Sequence, residues 1–478
     1  MTSATTSTEQ RHGLQGSIGI AGIVFLVIAA AAPLTAIGGA LPVMIAIGNG
    51  PGAPAAFVIA ALVLLVFSVG YSAMSHVVTD TGAFYAYVTR GLGKSVGVGG
   101  AGLALLAYTT IQAAIYGLAA ATVQDLVVSY GGPDLPWWVW AFALMAIVGF
   151  LGYRSIDLGA KVLGVLLVLE IGVIVALSVA VFAHGGAHGI DATSFMPTTF
   201  FDGSPGIALM FAIGSFVGFE ATAIYGEEAK NPKRTVPIAT YVAVITIGVL
   251  YAVGSWAVVL AFGSDGVAAA ANEDTAGLVF TAAATYLGPI AADVMAVMLV
   301  TSLFAALLAF HSAISRYVFA LARQGYMPRR LANVHAKHGS PSAGSLFQTV
   351  TAFLLVGAFA VAGADPVLQL FTWMSGMAIV SILALMVLTS IAIIVYFRRT
   401  SADTRLWHTR IAPVLGSIGL IAITALVVDN FTTLIGGSRI LADTFLAIIA
   451  IVFLGGVVVA RTVNRRRAQH IKSLASCP

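Results

Sequence analysis

The sequence predicts an all-α polytopic membrane protein, and three observations carry that expectation. Of the 478 residues, 59% are hydrophobic and only 9% charged, far below the roughly 25% charged residues of soluble domains. Mean hydropathy is +0.99. Apolar runs of membrane-crossing length follow one another along the chain: a hydrocarbon core about 30 Å thick takes about 20 apolar residues per helical crossing. Barrel strands are excluded, because these runs are too long and too uniformly apolar to alternate between lipid and lumen.

Twelve such runs stand at residues 17–47, 54–77, 97–128, 137–152, 157–183, 205–226, 236–262, 288–322, 345–362, 366–396, 411–432 and 440–461. Their connections support the count. Lysine and arginine concentrate in cytoplasmic loops, and with twelve crossings one side collects Arg11, Arg90, Lys94, Arg154, Lys161, Arg329, Arg330 and Arg465 to Arg467, leaving only Arg439 of the 23 basic residues on the other. Asp134, Asp191, Asp202, Asp265, Glu273, Asp274, Asp365 and Asp443 fall opposite. A missing or extra helix in the middle would exchange the sides of every later loop and destroy this segregation. Both termini are therefore expected in the cytoplasm of a cell bounded by this membrane.

The remaining composition is mainly exclusive. One cysteine, Cys477, excludes an intrachain disulfide or a thiolate metal cluster. Residues 1–16 form a Ser/Thr-rich tail, and the apolar run after it is too long for a signal-peptide core, so the mature chain is expected to begin near Met1. The net charge of +4 restates the inside-positive bias. Arg465–Arg467 reads as a topological anchor at the lipid surface. No nucleic-acid partner and no cofactor are indicated, and the oligomeric state is not fixed.

Two spans carry interruptions. The first contains AAAAPLTAIGGALP, with Pro33, Gly38, Gly39 and Pro42 near mid-membrane, and the sixth contains Gly214, Ser215 and Gly218. The positions correspond at an offset of five helices, and a five-helix unit repeated directly must insert with inverted topology, the signature of secondary transporters with broken helices at the midplane. Half-helix N-termini offer N–H groups to a carboxylate, and freed carbonyls accept from an ammonium group. The substrate site is thus expected on Thr35, Ala36, Ile37, Gly38 and Gly39 of the first span and on Ile213, Gly214, Ser215, Phe216 and Gly218 of the sixth. Glycine as a close-packing residue is the competing reading.

GFEATAIYGEEAKNPKRTVPIA at 218–239, TGAFYAYVTRGLG at 81–93, SRYVFALARQGYMPRRLANVH at 315–335 and APLTAIGG at 32–39 resemble segments of permeases of the amino acid-polyamine-organocation (APC) superfamily. The resemblance spans most of residues 17–400 and points to the superfamily, not to a substrate. It implies a LeuT-like core of five plus five helices in inverted repeat, with broken helices 1 and 6. The repeats fall at about 17–183 and 205–396, followed by two accessory helices within 401–462 and a cytoplasmic tail at 463–478. The implied activity is transport of an amino acid or related amine by alternating access.

By this topology two of the 19 acids lie inside the membrane, Glu170 and Glu220. Each such group costs roughly 2.5–3.5 kcal/mol to insert and is usually functional or paired. Glu170 sits about 20 Å along the fifth span, near the place where several proton-coupled family members carry a lysine. The residue differs here, but a buried carboxyl still carries a proton, so Glu170 is the candidate proton carrier. A structural acid bonded to a broken helix is the alternative. Glu220, the acid of the GFE motif, is expected to hold or gate the sixth-helix break. His311 lies deep in the eighth span as a proton-exchange candidate or a packing histidine. Gln112, Tyr116 and Trp373 are further candidates to face the pocket. His184 and His188 have metal-like spacing but lack a third ligand nearby, so no metal is assigned.

Relatives often place an aromatic residue where this chain has Gly214, which predicts a wide pocket. No second intramembrane acid is assigned to a cationic side chain, so neutral or apolar amino acids are favoured over arginine or polyamines, with Glu220 keeping a cationic substrate as the alternative. The expected activity is proton-coupled uptake. An obligate exchanger is its nearest rival, and a nontransporting receptor or a channel is the other class. No nucleophile is paired with a base and no nucleotide motif is present, which argues against an enzyme or an ATP-driven pump.

Overall fold

A computed structural model describes residues 18–78, 83–154, 160–220, 222, 229–335, 341–400 and 402–475. Cys477, Arg11 and the GEE segment with Glu227 and Glu228 lie outside the described residues. The described chain is helical; its β-type pairing is an isolated bridge between Ile18 and Ala229.

The main helices are α1 (Ile20–Ala31), α2 (Ala53–Ser75), α3 (Ala83–Leu92), α4 (Lys94–Ser129), α5 (Trp137–Tyr153), α6 (Ala160–His184), α7 (Pro205–Ser215), α8 (Pro232–Phe262), α9 (Leu278–Leu287), α10 (Pro289–Arg323), α11 (Ser342–Val361), α12 (Thr372–Arg399), α13 (Ala412–Asp429) and α14 (Arg439–Ala475). Among the described residues nine helices are long and apolar enough to cross a membrane. One of these stretches, Ile20–Ser75, takes in two of the expected spans and the helix break at Ala32. Three apolar helices are shorter: α5, α7 and α9. α5 and α7 fall in expected spans, whereas α9 lies in the connection left between the spans 236–262 and 288–322; its ten residues are too few to cross.

The arrangement follows from which faces are apolar on both sides. α2 packs along α8, α4 lies against α10, α12 and α14, and α5 packs on α11. Small residues allow the closest approaches. At Gly456 of α14 an added Cβ would lie 2.9 Å from the Cα of Gly99 in α4. The C-terminal part of α14 is pinned by Arg467, which donates to the Gln324 carbonyl and lies over the Tyr326 ring. Tyr85 of α3 donates to the side chain of the same Gln324.

Candidate functional site

The first helix breaks at one residue. Ala32 has φ 46° and ψ 72°, and it is the non-glycine residue with positive φ among those described. The cause is the next residue: the Pro33 ring crowds the right-handed helical region for the residue before it. Pro33 then opens the second half-helix, where its missing N–H costs nothing. The expected unwinding over 33–39 is corrected here. Residues 33–47 are helical, with a π-helical turn at Thr35–Ala40 in which the Leu41 amide donates five residues back to the Ala36 carbonyl; the half-helix ends at Gly48, which leaves helical geometry with φ −96° and ψ −121°. Gly38 and Gly39 serve packing: an added Cβ would lie 3.5 Å from Leu299 at Gly38 and 2.6 Å from Leu118 at Gly39.

Both edges of this break are satisfied by buried side chains from other helices. Tyr251 of α8 donates its hydroxyl to the Ala31 carbonyl at 3.1 Å. The Leu34 amide donates to Oε2 of Glu170 on α6 at 3.4 Å. Ser302 of α10 meets the Thr35 hydroxyl beside it at 3.3 Å. Glu170 therefore stands at the N-terminus of a half-helix, where the backbone dipole favours negative charge.

α7 ends at Ser215, and residues 216–220 form a turn. Gly218 takes φ +115°, a conformation open to glycine and rare for other residues. The carboxylate of Glu220 closes the turn on itself: Oε2 accepts the Gly218 amide at 2.8 Å, and Oε1 accepts the Tyr108 hydroxyl at 3.2 Å. Tyr71 donates to the Glu220 carbonyl at 2.9 Å. The two breaks touch, since a Cβ on Gly218 would come within 3.1 Å of Ala30 Cβ.

Beside them lies a cavity of about 70 Å³, room for on the order of five waters. Its floor is the backbone of Ala30–Ala32 with Thr35 and Ala36 on one side and Gly214, Ser215 and Val217 on the other. Ile111, Ile115, Phe211, Phe310, Phe371 and Ile379 supply apolar walls. Of the residues expected to bind substrate, Thr35, Ala36, Gly214 and Ser215 line this space; Ile37, Gly38, Gly39, Ile213, Phe216 and Gly218 pack behind it. The expected widening at Gly214 is absent, because Ile379 fills the place of the missing side chain, 3.0 Å from an ideal Cβ.

Gln112 is not brought to the cavity. Its amide donates to the Leu307 carbonyl at 3.0 Å and its oxygen accepts from Gln348 of α11, which in turn receives the Thr109 hydroxyl. His311 is likewise a packing residue, with Nε2 2.8 Å from the Ser345 hydroxyl and its ring where a Cβ on Gly152 would stand. Trp373 packs between Phe359 and Phe445, and Tyr116 is fully buried. His184 bonds the Ala180 carbonyl one turn back. Sequence reasoning missed two residues that shape the first break, Ala32 and Tyr251. The Ala-Pro step was the available signal for Ala32; Tyr251 had none.

A backbone break in each of two helices, meeting at a small apolar cavity, is an arrangement that holds a small molecule by main-chain groups. The family model for amino acid permeases matches residues 22–472 of this chain. The chain belongs to the amino acid permease family. The permease is 25% identical over 329 residues to the branched-chain amino acid permease BcaP of Bacillus subtilis, covering 65% of this chain and 68% of that relative. It is 23% identical over 317 residues to the low-affinity putrescine importer PlaP of Escherichia coli, covering 64% and 66%. With the aspartate-proton symporter of Bacillus subtilis it shares 21% identity over 213 residues, covering 43% and 40%. The permease is thus an integral membrane transport protein and not an enzyme.

Proposed function

We propose that this permease takes up a neutral amino acid with protons as the coupling ion, by alternating access through a five-plus-five inverted repeat. The observation that carries the reading is the contact between the two helix breaks beside one cavity, with an intramembrane carboxylate bonded to the backbone of each. Ala30–Ala32 and the turn after Ser215 hold the substrate's ammonium and carboxylate, and the apolar walls take its side chain. Twelve crossings with both termini in the cytoplasm and the cell membrane as location complete the reading. The inverted repeat draws support from spans five crossings apart lying side by side: the second expected span, α2, packs on the seventh, α8, and the fourth, α5, on the ninth, α11. Residues 401–462 stand outside the repeat as accessory helices.

Coupling is assigned to Glu170, since its carboxyl touches the first break directly, and a change in its protonation alters the hydrogen bond to Leu34. A relative is named as a proton symporter, which favours the same coupling. A cationic amine such as putrescine, which another relative imports, is disfavoured: the cavity lining carries no carboxylate, and Glu220 is engaged by Gly218 and Tyr108.

The test is uptake into proteoliposomes from a panel of labelled neutral, acidic and basic amino acids and putrescine, with and without an inward proton gradient. Gradient-dependent accumulation of neutral amino acids, abolished by a protonophore, is expected. Uptake only against preloaded substrate would make the protein an exchanger, and gradient-independent uptake would remove the proton.

A further inference from the structure

The cavity wall formed by α12 carries a hydroxyl that the reading above leaves without a task. Ser375 lines the cavity and is 2% exposed, and its Oγ has no hydrogen-bond partner among the described residues. A buried hydroxyl without a partner is costly, and in membrane helices serine ordinarily avoids that cost by bonding the carbonyl four residues back. Ser381 does so to Met377 on the same helix, as do Ser178, Ser315 and Ser417 on others. Ser375 does not. Just upstream of it, Pro366–Phe371 is π-helical and the Thr372 hydroxyl bonds the Val367 carbonyl, five residues back. Such π-turns shift the local register and recur at functional sites.

The other two hydroxyls on the lining are occupied. Thr35 meets Ser302, and Ser215 bonds the Phe211 carbonyl. Around Ser375 the wall is apolar: Phe371 one turn before it, stacked on Phe211 at 5.7 Å, and Ile379 one turn after it, over Gly214. Ala30–Ala32 and Gly214, Ser215 and Val217 of the two breaks share this lining; with the charged ends of a bound amino acid assigned to them, the α12 wall is left for its side chain.

We propose that Ser375 is the specificity-determining residue of the side-chain subsite, where its hydroxyl pairs with one hydrogen-bonding group on the substrate. The preferred substrates are therefore small neutral amino acids bearing a side-chain hydroxyl, ahead of aliphatic ones of equal volume. The proposal rests on the transport reading above. Its physical basis is an asymmetry: a site with a buried polar group discriminates against an analogue that leaves the group unpaired more strongly than an apolar site discriminates against an added hydroxyl.

Threonine and valine are the diagnostic pair, since they differ by a hydroxyl for a methyl. In proteoliposomes the wild type is expected to prefer threonine over valine about tenfold in competition for labelled uptake, the size of one buried hydrogen bond. Ser375→Ala should lose that preference by weakening threonine about tenfold while valine uptake is kept or improved. Retention of valine transport reports an intact fold and an intact break site. An unchanged threonine-to-valine ratio in Ser375→Ala, or loss of both substrates alike, overturns the proposal while wild-type uptake leaves the transport reading standing. A wild type that binds neither amino acid, nor any other in the panel, overturns the transport reading and the proposal with it.

Discussion

The Leu34 amide donates to the Glu170 carboxylate across 3.4 Å, joining the first residue with a free N–H after the Ala32 break to an acid on α6. This bond makes the half-helix N-terminus and the intramembrane acid one unit. An isolated carboxylate in hydrocarbon is costly, and the backbone dipole with its unpaired N–H offsets that cost. Tyr251 performs the complementary task on the upstream edge, where the Ala31 carbonyl has lost its helical donor.

Removing that hydroxyl tests whether the break needs its clamp. Tyr251→Phe leaves a buried carbonyl without its donor, a loss of about 1–3 kcal/mol, while the ring still packs against Phe57 and Phe216. The variant is expected to melt at lower temperature in detergent and to show a raised KM for transport. An unchanged melting temperature with unchanged KM would mean that the Ala31 carbonyl finds another partner.

The Gln112–Gln348 pair should behave as scaffold. Each single change to leucine strands a buried amide and is expected to cost about 1–3 kcal/mol, whereas Gln112→Leu with Gln348→Leu together should cost less than the sum. Substrate affinity should stay at the wild-type value in all three proteins. A folded Gln112→Leu protein with weakened substrate binding would return Gln112 to the site.

The helical architecture and the two break regions were legible because membrane length, charge segregation and Pro/Gly interruptions are local properties of the chain. The exact break was legible only in part. Gly38 and Gly39 look like helix breakers by propensity, but in close-packed membrane helices their lack of a side chain admits a neighbour, here Leu299 and Leu118. The effective signal was steric, the alanine before Pro33. Gln112 was a candidate to face the pocket as a polar group on the third span; its partner is instead Gln348, 236 residues away in sequence. Ser375 carries no sequence signal, because whether a helical serine bonds back to its own turn or turns its hydroxyl into a cavity is a matter of tertiary packing, and here the hydroxyl has no partner among the described residues.

The two glycines of the breaks should therefore separate under mutation. At Gly38 a methyl finds ordinary contact with Leu299 at 3.5 Å, so Gly38→Ala is expected to bind and transport normally. Gly218→Ala meets positive φ and the Ala30 Cβ at 3.1 Å together, which costs on the order of 1–3 kcal/mol from backbone strain alone. Binding by scintillation proximity and melting in detergent check both. Normal binding by Gly218→Ala would detach the second break from the site.

Glu220 holds its turn through the Gly218 amide and the Tyr108 hydroxyl. Glu220→Gln replaces one acceptor oxygen by an NH2 group and loses a charge-assisted bond, for which about 1.5–3 kcal/mol is typical. Substrate affinity is expected to fall by at least about tenfold, by the same amount at every external pH. A loss confined to acidic or to alkaline conditions would show that Glu220 itself titrates during transport.

Glu170→Gln makes the opposite kind of change. The glutamine keeps an oxygen to accept the Leu34 amide and thus preserves the break, but it neither gains nor loses a proton. If Glu170 carries the coupling proton, the variant should bind substrate and exchange it across the membrane at equilibrium, because neither step requires net proton movement. Accumulation is different: with one proton per substrate, an inward gradient of one pH unit supports up to about tenfold concentration, and the variant should reach no more than the outside level. The two readouts belong in the same proteoliposome preparation, so that a folding defect shows as loss of both. Glu170→Gln protein that still concentrates substrate in step with the gradient would leave Glu170 as the structural cap of the Leu34 half-helix and move the proton to another group.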